Sequence, residues 1–94
     1  MSVCGIGAVV TEREGRPVIT NVLTNSPAQQ AGLIPYDEIV QIDDKKIDGL
    51  KLADVVKLIR GPAGTVVKIL VVRAGQYPPE SFEVKRAVVQ LWTR

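Results

Sequence analysis

The chain has 94 residues, twelve Lys and Arg against ten Asp and Glu, a formal net charge of +2 and no histidine. A chain this short holds one core, and its 46% apolar content, spread along the whole length, excludes a disordered tail. The charge is too small for a nucleic-acid footprint, and the missing histidine removes imidazole metal sites, Ser-His and Cys-His pairs and the commonest general base, so binding is the expected class rather than catalysis.

Gly5-Ile6-Gly7 opens into the apolar run Ala8-Val9-Val10-Thr11, which reads as a strand. The charged stretch Thr11 to Pro17 contains Gly15 and reads as a turn, and Val18 to Leu23 as a second strand that completes a hairpin. Ser26 is a helix N-cap with Pro27 at the first helical position, and Gly32 closes a short helix over 27–31. Ile39 to Ile42 is a short strand, Asp43-Asp44 a turn, and Lys45-Lys46-Ile47 a brief partner strand.

Leu52, Val55, Val56 and Ile59 recur at helical spacing, with Leu58 widening the stripe and Lys51, Asp54, Lys57 and Arg60 on the other face. This predicts a helix over 51–60, stopped by Gly61-Pro62. Thr65 to Arg73 is almost unbroken β-branched sequence, expected as a strand covered on both sides. Gln76 to Glu80 is expected to turn the chain, and Phe82 to Leu91 to form a last strand. The expected core is Val22, Ile39, Val40, Val55, Leu58, Val66, Ile69 and Val71. The class that follows is α+β, a five- or six-stranded sandwich or partly open barrel capped by the two helices.

No run approaches the ~20 apolar residues of a membrane helix, and no membrane insertion is expected. The single cysteine, Cys4, allows no internal disulfide and no thiolate metal cluster, so neither metal nor cofactor is expected. The N-terminal residues lack the charged and apolar regions of a signal peptide; if the chain is a piece of an exported protein, its signal lies outside the piece.

The phrase Ser26-Pro27-Ala28-Gln29-Gln30-Ala31-Gly32-Leu33, followed by Asp37-Glu38-Ile39-Val40-Gln41-Ile42-Asp43, resembles the central signature of PDZ domains. Gly5-Ile6-Gly7-Ala8, the amphipathic helix ending Leu58-Ile59-Arg60-Gly61 and the apolar strand after it match as well. The glycine loop at the start resembles most closely the PDZ domain of bacterial and plastid carboxyl-terminal processing proteases. The resemblance implies one domain over 1–94, excised from a larger protein and docking on a protease domain that is absent here. It implies a peptide-binding module, without catalytic residues of its own, that takes C-terminal peptides with an apolar last residue by strand addition. Gly5, Ile6, Gly7 and Ala8 would hold the terminal carboxylate; Val9, Val10 and Thr11 would pair with the peptide; Leu52, Val56 and Ile59 would line the groove, with Val55 and Leu58 turned to the core. Leu52 would face the third side chain from the peptide's end and favour an apolar one. The site would lie outside the cytoplasm, in the bacterial envelope or plastid lumen.

Three positions depart from the pattern. Tyr36 stands where glycine usually precedes Asp37, Asp44 where a turn glycine is common, and Lys51 where Ser or Thr would cap the helix.

The residues also support this reading by themselves. A Gly-x-Gly loop feeding a strand presents successive backbone amides in a concave turn that suits a carboxylate, and the strand after it would have one free edge. Simpler readings exist for each motif. Two glycines near a terminus are most often a turn, and an apolar helix stripe is most often core. Ser26 has no neighbouring base and is a cap; Cys4 is an inert small residue; Asp37-Glu38 and Asp43-Asp44 lack calcium-loop spacing and read as solvated turn charges. Lys85-Arg86 with Trp92 and Arg94 reads as a basic-aromatic tail, with Trp92 a candidate docking point. The alternatives to peptide capture are a structural, assembly or regulatory PDZ domain with an occluded groove, and the PDZ domain of another envelope protease or secretion component.

Overall fold

The computed structural model describes residues 2–3 and 5–87, with side chains from Gly5 onward. Its elements in chain order are β1 (Ser2–Val3), β2 (Ala8–Arg13), β3 (Arg16–Val22), α1 (Pro27–Ala31), β4 (Glu38–Ile42), β5 (Lys45–Lys46), α2 (Leu52–Ile59), β6 (Val66–Arg73) and β7 (Gln76–Lys85). All strand pairs are antiparallel and build one sheet in the order β1-β2-β3-β4-β6-β7, with β5 attached to β4. The expected α+β class and the two helices are found, with six strands on the main path of the sheet.

Local chemistry accounts for most of the punctuation. The β2–β3 turn places Glu14 at φ 54° and Gly15 at φ 76°, two consecutive left-handed residues whose twist matches a tight hairpin. Ser26 Oγ accepts the Gln29 N–H at 3.2 Å, Pro27 opens α1, and Gly32 closes it at φ 104°. Lys51 at the N-cap of α2 makes no side-chain capping bond, as its side chain carries no acceptor, and Asp54 supplies the only acidic group of the first turn.

One apolar cluster joins sheet and helices, with Ile19, Ile39, Ile42, Val55, Val67, Ile69, Val71 and Val84 at its buried heart. Of the expected core, Ile39, Val55, Ile69 and Val71 are buried, while Val22 and Leu58 pack half-buried against the cluster. Val40 is also only half-buried. Val66 is a correction: it is 55% exposed. The expectation that β6 is covered on both sides fails for the same reason, since its burial alternates from Val66 to Ile69 and one face meets solvent. The alternation breaks at Val71 and Val72, both buried, where the β6–β7 register shifts.

The expected turn over Gln76 to Glu80 is a second correction. The chain reverses at Ala74 and Gly75, at φ 53° and 71°, and Gln76 already pairs with Arg73. Pro78 and Pro79 are tolerated inside β7 because they lie between the Arg73↔Gln76 and Val71↔Glu80 pairs, in an irregular stretch of an edge strand. The expected last strand is observed as far as Lys85; Val88 to Leu91 lie outside the described residues, as do Cys4, Trp92 and Arg94.

Candidate functional site

The loop before β2 is held by its carbonyls. Gly5 O accepts from Ala87 N–H at 3.0 Å, Ile6 O from Ala28 N–H at 2.8 Å and Gly7 O from Leu23 N–H at 2.9 Å. Across each planar trans peptide the N–H points opposite to the C=O, so these bonds also fix where the N–H groups of Ile6, Gly7 and Ala8 point. Among the described residues none accepts a hydrogen bond from Ile6 or Gly7 N–H, although both residues are buried. A backbone N–H without a protein partner is left to water or to a ligand. Gly7 is irreplaceable on two counts: its φ is +83°, and an added Cβ would lie 2.2 Å from Ser26 Cβ. The α1 cap is thus also the wall behind the loop.

Beyond the loop the structure departs from the expected free strand edge. β3 lies along one edge of β2 from Ala8↔Val22 to Arg13↔Arg16. The other edge is occupied at Val9 and Val10 by β1, in the register Ser2↔Val10 and Val3↔Val9. Thr11 is exposed and its hydroxyl meets that of Thr20 at 2.9 Å. The correction has a simple physical cause: an unpaired row of backbone groups attracts whatever short segment reaches it.

The facing helix also differs from expectation. Ile59, expected to line the groove, is fully buried, and Val56 is 5% exposed; both belong to the same cluster as Ile6, Ala8 and Val10. These side chains come together as closed core rather than as the wall of an open pocket. Leu58, expected in the core, is only half-buried. Leu52 is half-exposed and lines a small pit with Glu12, Pro17 and Val55 near the hairpin turn. A wider cleft of about 550 Å³ lies elsewhere, between Gln30 and Ala31 of α1 and Lys85 and Ala87 at the end of β7.

Two arginines that carry the frame have no local sequence signal. Arg86, read as part of a basic tail, folds back over Gly61: its Nε donates to Ile59 O at 2.7 Å, one terminal nitrogen to Leu58 O at 3.1 Å and the other to Thr65 Oγ1 at 3.1 Å. It supplies a cation and two donors at the negative end of α2, where the last carbonyls lack helical partners. The neighbouring Ala87 N–H holds the Gly5 carbonyl, so one dipeptide fixes both the helix and the loop.

Asp37, read as a solvated turn charge, is fully buried. Its carboxylate accepts Arg73 Nε and a terminal nitrogen, each at 2.8 Å, and Ile34 N–H at 3.0 Å. The same terminal nitrogen of Arg73 donates to Gly32 O at 2.9 Å, and its guanidinium lies 5.0 Å from the centre of the Phe82 ring. The hydrogen bonds to Asp37 raise the Arg73 pKa, burial opposes this, and the charges of Asp37 and Glu80 add to the rise. A raised cation pKa stabilises the fold at every pH below the ordinary arginine value, so this tie persists through the mildly alkaline range. Tyr36 beside it sits at φ 75°, as a position suited to glycine implies, with Arg13 5.7 Å above its ring. In the β4–β5 turn the left-handed residue is Asp43, at φ 50°, rather than Asp44; its Oδ1 accepts Lys68 N–H at 2.9 Å.

An antiparallel sheet, two capping helices and a glycine loop whose carbonyls are bonded back to the body of the fold are the features of a PDZ domain, and the PDZ family model matches residues 18–73, so the chain belongs to that family. Its homologues are carboxy-terminal processing proteases. It is 42% identical over 71 residues to the carboxy-terminal processing protease CtpA of Bacillus subtilis (strain 168), covering 76% of this chain and 15% of the relative. To CtpB of the same organism it is 39% identical over 89 residues, covering 95% of this chain and 18% of the relative. The crystal structure of the PDZ domain of a carboxy-terminal protease from Vibrio cholerae in complex with peptide superposes with a TM-score of 0.86 at 31% identity, covering 97% of this chain and all of that one. The chain therefore spans less than a fifth of the length of each of these two curated relatives.

Proposed function

We propose that this domain captures the C-terminus of a protein or peptide and serves as the substrate-recognition part of a carboxyl-terminal processing serine protease. The carrying observation is the loop: three carbonyls fixed on one side, and the Ile6 and Gly7 amides unpaired on the other among the described residues. A carboxylate is the anion whose oxygens suit adjacent backbone donors in such a nest. The peptide would add along β2 at Val9, Val10 and Thr11, antiparallel to it, on the edge that β1 covers. The kinship with carboxy-terminal processing proteases supports the assignment and, with it, a site of action outside the cytoplasm or in the plastid lumen.

The test is titration with a short peptide ending in an apolar residue, as free acid and as amide. Micromolar binding of the acid, worth about −8 kcal/mol, and at least about tenfold weaker binding of the amide are expected. Equal affinity of the two forms rules out the carboxylate role. A second reading, a structural PDZ domain with an occluded groove, is favoured by one observation, the β1 segment on the outer edge of β2. It predicts no binding of either form.

A further inference from the structure

We propose that β1 is a built-in competitor for the peptide edge of β2, so that ligand capture requires β1 to detach. This rests on the peptide-binding reading above and adds a regulatory contact to it. A strand has two edges, and on β2 both are taken at Val9 and Val10, one by β3 and one by β1. A peptide adding there meets an occupied position.

The polarity is also shared. A peptide antiparallel to β2 with its carboxylate at Ile6 to Ala8 runs from beside Thr11 toward the loop. β1 runs the same way, since Ser2 pairs with Val10 and Val3 with Val9, and the chain then enters Gly5. The two occupants differ at the loop end. β1 leads on to Gly5 within the same chain, so it brings no terminal carboxylate to the loop. A ligand brings that charge and a last side chain, whereas β1 has the advantage of being tethered at high effective concentration.

Two residue pairs make a marginal ladder, of the kind that opens without global unfolding. The apparent dissociation constant of a ligand rises by the inverse of the open fraction, so an edge closed most of the time weakens binding several-fold without abolishing it.

The test compares the full chain with the variant Ser2→Pro/Val3→Pro, in which proline prevents β1 from pairing whichever of the two N–H groups faces β2. Both proteins are titrated with the free-acid peptide, and the exchange of the Val9 and Val10 amides is followed by NMR. Thermal melting checks that the variant keeps its fold. The variant is expected to bind about three- to tenfold more tightly. In the parent, cross-strand contacts between residues 2–3 and 9–10 are expected to vanish as peptide saturates. Equal affinities, or a saturated parent that keeps those contacts, overturn the competition while leaving peptide binding intact. Binding by neither protein overturns both, and identifies the failure as that of the peptide-binding reading.

Discussion

At one end of the sheet, β7 runs for ten residues, carries Glu80, Glu83 and Lys85 at exposed positions, pairs irregularly around Tyr77–Pro79 and has α1 packed against it. At the other, β2 presents three consecutive buried apolar residues, Ala8, Val9 and Val10, and is covered by two residues of β1. Charges, prolines and a docked helix discourage further strands from joining, whereas a short apolar edge beside the glycine loop invites one. The contrast separates an end of the sheet that is finished from one whose cover is exchangeable.

The largest expected effect breaks the exchangeable end. Gly7→Ala forces a left-handed alanine onto Ser26 and should cost about 2–4 kcal/mol in denaturant unfolding. It should also abolish peptide binding at temperatures where the variant is folded; retained binding would show that the loop is not the anchor. Next, Arg86→Ala leaves the Leu58 and Ile59 carbonyls without their side-chain donors and should cost about 1–3 kcal/mol. Arg86→Lys should recover only part of this, because one ammonium does not reproduce a planar fork reaching three acceptors. Full recovery would reduce the role of Arg86 to its charge.

The finished end can be opened without touching the core. Glu83→Val/Lys85→Val removes two exposed charges from β7, and stability should stay within about 0.5 kcal/mol. Concentration-dependent self-association in sedimentation is the expected consequence, and a variant that remains monomeric would show that α1 and the irregular stretch protect the edge unaided. The smallest effect lies away from both ends. Tyr36→Gly removes left-handed strain of about 1 kcal/mol and an exposed cation–π contact of about 0.5 kcal/mol, a net gain of a few tenths at most. A marked loss in thermal melting would mean that the Arg13–Tyr36 contact outweighs the strain.

Much of this fold was legible because its punctuation is local. Ser26, Pro27 and Gly32 mark a helix within a handful of residues, and the Leu52 to Ile59 stripe marks the other. The glycine loop was likewise found from its own residues. What escaped depends on contacts distant in sequence. The buried state of Asp37 is set by Arg73, and the end of α2 by Arg86, neither of which is near in the chain. Val66 reads as core because a β-branched run conceals which alternate residues face water. The turn at Ala74-Gly75 was overshadowed by two prolines that the irregular β6–β7 pairing accommodates. The closed state of Val56 and Ile59 and the occupancy of the β2 edge depend on how tightly helix and segment settle on β2, and residue spacing carries no record of that.

The bond between Ala87 N–H and Gly5 O has a consequence for architecture. Gly5 and Ala87, distant in the chain, are neighbours one hydrogen bond apart. By this geometry, a short linker from Ala87 to Gly5 with new ends cut in the exposed β2–β3 turn would give a circular permutant that keeps the sheet from β2 to β7.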